Sequence, residues 1–258
     1  MLVRTFFLLV ALVVPARADL DAATAAWGEL TARYVVDERW IDYARWHAAR
    51  EDVVALSEVV DAFEAIDPAS LARDDRLAFW INVYNAVTIE LALEHYSLGS
   101  IKDIDGAGLL GSPWKLERVT IGGRALTLDQ IEHEIIRPEF DEPRIHFAVN
   151  CASVGCPPLA SEPYVGARLD EQLDRATRRA VNDPTWVDLS GCEGAYGAGT
   201  IRLTKIFDWF ADDFGGEDGI RDFLVRHREG DAFRLRNTSC GLDFMDYDWG
   251  VNDAPGGA

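Results

Sequence analysis

Apolar residues recur at helical spacing across residues 22–36, with Trp27, Leu30 and Tyr34 on one face. A second helical pattern runs over about 44–65, and 68–74 reads as a connector in which Asp74 or Asp75 can cap the next helix. Residues 77–94, LAFWINVYNAVTIELALE, are the most apolar stretch after the N-terminus. Hydrophobic residues surround the first three turns of this segment, so it is expected to be a central, buried helix. Residues 119–121 and 124–126 flank Gly122-Gly123 as a hairpin. Thr127-Leu128-Asp129-Gln130 is a capping box that opens a helix expected to end before Pro138, with Leu128, Ile131 and Ile135 facing inward. In 144–150, Ile145, Phe147 and Val149 alternate with His146, Ala148 and Asn150, which reads as a half-buried strand with His146 and Asn150 on its other face. Further helices are expected at 167–181, 206–214 and 218–227, and short strands at 186–189 and 201–203.

With no internal repeat and no long linker, these elements give an α+β fold in one domain spanning 19–253. A small antiparallel sheet holding 144–150 would pack on the 77–94 helix, and 254–258 would be a disordered tail.

Composition narrows the partners. The 258 residues are 48% hydrophobic and carry a formal net charge of -19, a surface that repels nucleic acid and anionic lipid. The N-terminus reads as a leader: Arg4, an apolar run from Phe6 to Val14 too short to span a bilayer, then Ala16-Arg17-Ala18. Cleavage after Ala18 would leave a periplasmic or secreted protein with no stable membrane insertion, and would take the charge from -19 to -21 by removing Arg4 and Arg17.

The candidate chemistry gathers at one place. His146, Asn150, Cys151 and Cys156 crowd the end of the expected strand and the loop after it, RIHFAVNCASVGCPPL. Cys151 and Cys156 fit a second bridge, buried thiols, a nucleophile, a redox pair or metal ligands. Their spacing is longer than the CxxC redox motif, and no second cluster completes a zinc site, so no cofactor is expected. His133-Glu134 lacks the second histidine of a zinc-protease helix, Arg137 standing in its place. A straight strand would put Cys151 roughly 16 Å from His146, so the nucleophile reading needs the loop to turn back. Asn82 and Asn85, three apart on the apolar helix, must find partners, either as structural ties or as the lining of a polar pocket. Glu132 on an inward helix face needs a partner too, with Arg137 or Arg144 the expected one.

The segments FWINVYNA (79–86), LTLDQIEHEIIR (126–137), HFAVNCASVGCPPL (146–159) and YDWGVN (247–252) resemble the family of domains of unknown function numbered 547. This resemblance implies a shared fold but no activity. A weaker similarity is to papain-like and transglutaminase-like folds, in which a central helix and following strands assemble a Cys-His-Asn/Asp site. The departure is that the helix here carries Asn82 and Asn85 and no cysteine. Cys192 and Cys240 lie outside the family stretches, and a bridge between them is expected in an exported protein.

The enzyme expectation is a cysteine-dependent hydrolase or acyl transferase acting on an amide or thioester of a small molecule or peptide. Cys151 or Cys156 would be the nucleophile and His146 the base, with Asn85, Asn150 or Asp248 orienting groups or oxyanion donors. The competing expectation is a binding module whose polar pocket uses Asn82, Asn85, His146 and Asn150. Glu132, Tyr247 and Asp248 complete the candidate binding groups.

Overall fold

The computed structural model describes residues 16–104, 111–192, 199–237 and 239–256. Most of the expected leader, residues 1–15, and parts of the two glycine-bearing stretches, 105–110 and 193–198, lie outside the described residues.

Helices α1 (Ala16–Tyr34), α2 (Tyr43–Ala48), α3 (Arg50–Glu64) and α4 (Arg73–Glu94) build the first layer. The helical face expected on α1 is buried, and Tyr34 stacks on Trp46 of α2 at 4.4 Å between ring centroids. The helix expected over 44–65 is broken at Ala49, where φ -86° and ψ 80° leave the helical region. That turn brings Trp46 and the Leu56–Val60–Phe63 face into one core. Helix α4 is buried from Leu77 through Ile89, as its all-round hydrophobicity required. Between α1 and α2, β1 (Val35–Val36) pairs with β2 (Trp40–Ile41).

The hairpin forms as expected, β3 (Glu117–Ile121) against β4 (Arg124–Thr127). Gly122 and Gly123 supply φ of +59° and +75°, the pair of positive values that a two-residue hairpin turn needs. The capping box of Thr127 and Gln130 opens α5 (Leu128–Gln130). The helix does not end before Pro138. It widens into a π-helical turn, Ile131–Ile136, and continues as α6 (Arg137–Phe140). Arg137 N–H reaches back to the Glu132 carbonyl, and the wider turn accommodates a proline ring that would otherwise crowd the carbonyl of residue 134. The extra residue also moves the inner face, so that Ile136 is buried where Ile135 was expected.

Residues 144–150 are not a strand. Pro143–Phe147 form a 3-10 turn, and no sheet includes them. The physical reason lies in the packing on both sides. Ile145, Ala148 and Val149 enter the cluster around α4, while Phe147 enters a second cluster and packs on Phe207, Phe214 and Phe223 at 5.7, 6.3 and 5.8 Å. With both sides buried, the alternation in the sequence did not mark a solvent face, and His146 is itself only 2% exposed.

The second cluster is covered by α7 (Leu169–Asn182), α8 (Ile206–Trp209), α9 (Gly216–His227) and α10 (Ala232–Asn237). A three-stranded sheet of β5 (Val187–Asp188), β6 (Thr200–Leu203) and β7 (Gly241–Phe244) lies with them, β5 antiparallel and β7 parallel to β6. The fold is thus mixed α+β, although its sheets are smaller and differently placed than expected. The expected tail at 254–258 begins as an anchored segment, since Ala254 N–H donates to the Ile41 carbonyl at 2.9 Å; residues 257–258 are outside the described residues. Among the described residues no helix is long and apolar enough to cross a membrane.

Cys192 and Cys240 are joined in a disulfide, 48 residues apart in sequence and 5.8 Å apart at Cα. A cross-link closing a loop of that size restricts the unfolded chain by about 4 kcal/mol. The double variant Cys192→Ser/Cys240→Ser is expected to lose stability of that order in urea unfolding. A loss under about 1 kcal/mol would mean the bridge contributes little.

Candidate functional site

The loop after the 3-10 turn is fixed by a buried chain of amides. Asn85 Nδ2 donates to the Ala148 carbonyl at 3.0 Å, and Asn85 Oδ1 accepts from Asn150 N–H at 2.8 Å. Asn150 in turn donates to the Pro157 carbonyl at 2.8 Å, and its Oδ1 accepts from Ala152 N–H at 2.9 Å and from Asn252 Nδ2 at 3.3 Å. Tyr43 donates its hydroxyl to Asn252 at 3.1 Å, which ties the loop and the C-terminal segment to α2. Ala152 is held at φ +59°, a left-handed conformation that costs a non-glycine residue about 1 kcal/mol. Gly155 lies so close to residues 247–248 that a Cβ there would meet Asp248 backbone atoms at 3.0 Å. These constraints set Cys151 against the 247–249 segment.

Cys151 Sγ meets the Ser153 hydroxyl at 3.2 Å and the Tyr247 hydroxyl at 3.1 Å, and those two hydroxyls are 2.9 Å apart. Cys151 N–H donates to Cys156 Sγ at 3.1 Å. The two thiols are free and unequal. A hydrogen bond from the Cys156 thiol, opposed by burial and aided by Ser153 and Tyr247, brings Cys151 from its ordinary 9.0 down to about 7. Burial, and then the neighbouring Cys151, push Cys156 well above the ordinary thiol value. Of the two thiols Cys151, the partly exposed one, is thus the more acidic.

His146 stands in the same cleft, stacked on Phe210 at 3.9 Å between ring centroids. Its Nε2 lies 2.7 Å from Asp213 Oδ2, and Asp213 also takes a two-pronged hydrogen bond from Arg137, at 2.6 Å from Nε and 2.8 Å from Nη2. Burial opposes the charge on Asp213, but the bonds from His146 and Arg137 outweigh it and hold its carboxyl well below the usual range. A carboxylate can only accept, so Nε2 carries the proton and Nδ1 is the basic atom. Nδ1 is buried, has no hydrogen-bond partner, and lies 3.9 Å from Glu132 Oε1.

Glu132 reaches the cleft from the π-helical turn, a kind of distortion that recurs at functional sites. Neither Arg137 nor Arg144 is its partner. Arg137 is committed to Asp213, and Arg144 to Glu142 and Asp170. Tyr84 of α4 also lines the cleft, its hydroxyl pushed up first by burial and then by the charge of Glu132. Trp114, Trp209, Phe210, Tyr247 and Trp249 form the aromatic wall, with Tyr247 and Trp249 4.5 Å apart. The cleft measures about 240 Å³.

The structure brings together His146, Cys151, Cys156, Glu132 and Tyr247 in this cleft. Asn82, Asn85 and Asn150 do not line it, so they do not share a pocket with His146 there as expected. Asn82 pairs with the Tyr164 backbone through both amide atoms, at 2.7 and 2.9 Å, just as Asn85 pairs with the loop; each side chain substitutes for a strand neighbour. Asp248 is exposed and accepts from Gly250 N–H at 2.9 Å, so it neither orients the histidine nor faces the cleft. The histidine expected beside the thiol is also not found there, because hydroxyls occupy that position. Asp213, Ser153 and the tryptophans escaped sequence reasoning. The only local signal for Asp213 was an acid set in an aromatic run, DWFADDF.

The fold and the cleft describe a mixed α+β protein with a free thiol and a carboxylate-held histidine among the residues lining one cleft. Residues 68–180 match the family model described as a protein of unknown function, DUF547. The match takes in α4, the π-helical turn, His146 and both free cysteines, while Asp213 and Tyr247 lie beyond it. No curated protein and no solved structure matched the chain.

Proposed function

We propose that the protein is a cysteine-dependent acyl-transfer enzyme, a hydrolase or transferase of thioesters or amides, with Cys151 as nucleophile. The observation that carries this reading is one cleft holding a free thiol in contact with two hydroxyls and a histidine fixed by a carboxylate, its other nitrogen without a hydrogen-bond partner.

In this reading the Cys151 thiolate attacks the acyl carbon and forms a C–S bond. The oxyanion is met by the Tyr247 and Ser153 hydroxyls, which lie 3.1 and 3.2 Å from the sulfur and donate to it once it is a thiolate. Collapse expels the leaving group; a thiolate departs without needing a proton, which favours thioesters over amides. His146 Nδ1 then takes a proton from the water or other acceptor that attacks the acyl-enzyme, the C–S bond breaks, and the thiolate returns. Asp213 holds the tautomer that leaves Nδ1 basic, and Arg137 holds Asp213. Action outside the cytosol is part of the proposal, supported by the Cys192–Cys240 disulfide.

The test is alkylation by iodoacetamide at graded pH, with the labelled peptides identified. Cys151 is expected to label with a midpoint of about 7. Cys156 should resist labelling in the folded protein. Tyr247→Phe removes a donor to the thiolate and should move the Cys151 midpoint upward. A wild-type midpoint at the ordinary thiol value of 9.0 would leave no activated nucleophile.

A further inference from the structure

The charges around the cleft are one-sided. The formally charged side chains that line it are Asp129 and Glu132, and no lysine or arginine is among its lining residues. Glu132 is 9% exposed, and among the described residues no arginine or lysine nitrogen lies within 4.0 Å of it. Its nearest titratable nitrogen is His146 Nδ1, the buried atom without a hydrogen-bond partner. The Glu132 carboxylate interacts with the Tyr84 hydroxyl and, among the described residues, has no strong cation against it. The nearby cations are engaged elsewhere. Arg137 is locked to Asp213, and the Lys102 ammonium lies 3.4 Å from the centre of the Trp249 ring.

Much of the remaining lining is aromatic, with Trp209 43% exposed and packed on Tyr247 and Trp249 at 4.8 and 5.6 Å. Indole and phenol faces attract cations, and the Lys102 contact shows Trp249 already doing so. Neutral acyl chains would be content with the aromatic wall alone, and anionic ones would meet two carboxylates.

From the carboxylates and the aromatic rings that line the cleft and the His146 nitrogen without a hydrogen-bond partner, we infer that the cleft selects an acyl substrate bearing a cationic nitrogen, an ammonium or guanidinium, beside the carbonyl presented to Cys151. The cation sits against Glu132, with Asp129 contributing from the cleft edge and the aromatic rings covering its alkyl stem. This inference names the substrate class of the acyl-transfer reading and rests on it, but its test is a binding measurement in which no chemistry occurs.

Cys151→Ser protein is titrated with N-acetyl-lysine amide, N-acetyl-norleucine amide and N-acetyl-glutamate amide, with tryptophan fluorescence as the readout. The lysine compound is expected to bind at least tenfold tighter than norleucine, and glutamate weakest of the three. Glu132→Gln should remove most of the lysine preference while leaving norleucine binding unchanged. Equal or tighter binding of norleucine or glutamate, or no binding of any compound, would overturn the inference. Should the Glu132 variant fail to fold, the wild type supplies the second measurement. Cys151 should react at least tenfold faster with an aminoethyl methanethiosulfonate than with the sulfonatoethyl analogue, after correction for their rates with a free thiol. Equal corrected rates would overturn the inference. Failure of cysteine catalysis would show separately, as a Cys151 thiol without a lowered titration midpoint.

Discussion

Asn85→Leu is expected to destabilise the protein by roughly 2–6 kcal/mol, because the change strips two buried backbone groups, the Ala148 carbonyl and Asn150 N–H, of their partner at 1–3 kcal/mol each. Leucine shares the branched heavy-atom shape of asparagine but has bulkier methyl groups, so lost hydrogen bonding, with some crowding and no cavity, dominates. Against a typical stability of 5–15 kcal/mol this is a large share. The effect should reach the site as well. Without Asn85 the Asn150 amide loses its anchor, and Asn150 sets the turn that presents Cys151. Urea unfolding and the pH profile of Cys151 labelling should therefore both change. Asn82→Leu frees the Tyr164 backbone instead, so it should lower stability comparably and leave the Cys151 profile intact. A change under 0.5 kcal/mol in Asn85→Leu would remove its role as a tie.

Asp213→Asn should have the largest effect on chemistry. Asparagine keeps the shape but can present an N–H to His146, which turns the imidazole to the tautomer whose cleft-facing nitrogen carries the proton. In serine hydrolases the corresponding change costs on the order of 10⁴ in turnover. A loss of roughly 10³–10⁴ is expected here in the rate at which an acyl group leaves Cys151, followed after a pulse of p-nitrophenyl acetate. Stability should fall by only about 1–2 kcal/mol, since Arg137 and Asp213 are 27% and 23% exposed and solvent screens the loss. The bonds that lower the Asp213 pKa stabilise the fold above the ordinary carboxylate range, and that contribution fades as pH falls through the lowered value. A less than tenfold slowing of acyl release would exclude Asp213 from orienting the base.

Much of the helical layer was legible because its signals are local. The apolar circumference of α4, the capping box at Thr127 and the glycine pair at 122–123 each act within a few residues. The 144–150 segment was misread because alternation normally marks one buried face, whereas here two hydrophobic clusters bury both. The π-helical turn was hidden because its cause, Pro138 within a continuing helix, reads in sequence as a stop. At the site, the residue types gathered around Cys151 were visible, including His146, Glu132 and Tyr247. The partners were not. Asp213 lies 67 residues from His146, and nothing in sequence distinguishes it from Asp212 beside it. Asn82 and Asn85 were visible as buried amides, but only the fold decides whether such amides serve backbone or ligand.

Trapping the acyl group tests the central claim most directly. Wild-type protein is mixed briefly with p-nitrophenyl acetate, quenched in acid and mapped by peptide mass. The account predicts a single acetyl group on Cys151, formed increasingly fast as pH rises through about 7 and persisting far longer in His146→Ala than in the wild type. Acetyl groups on Cys156 or on lysines with Cys151 unmodified, or equal lifetimes with and without His146, would contradict it.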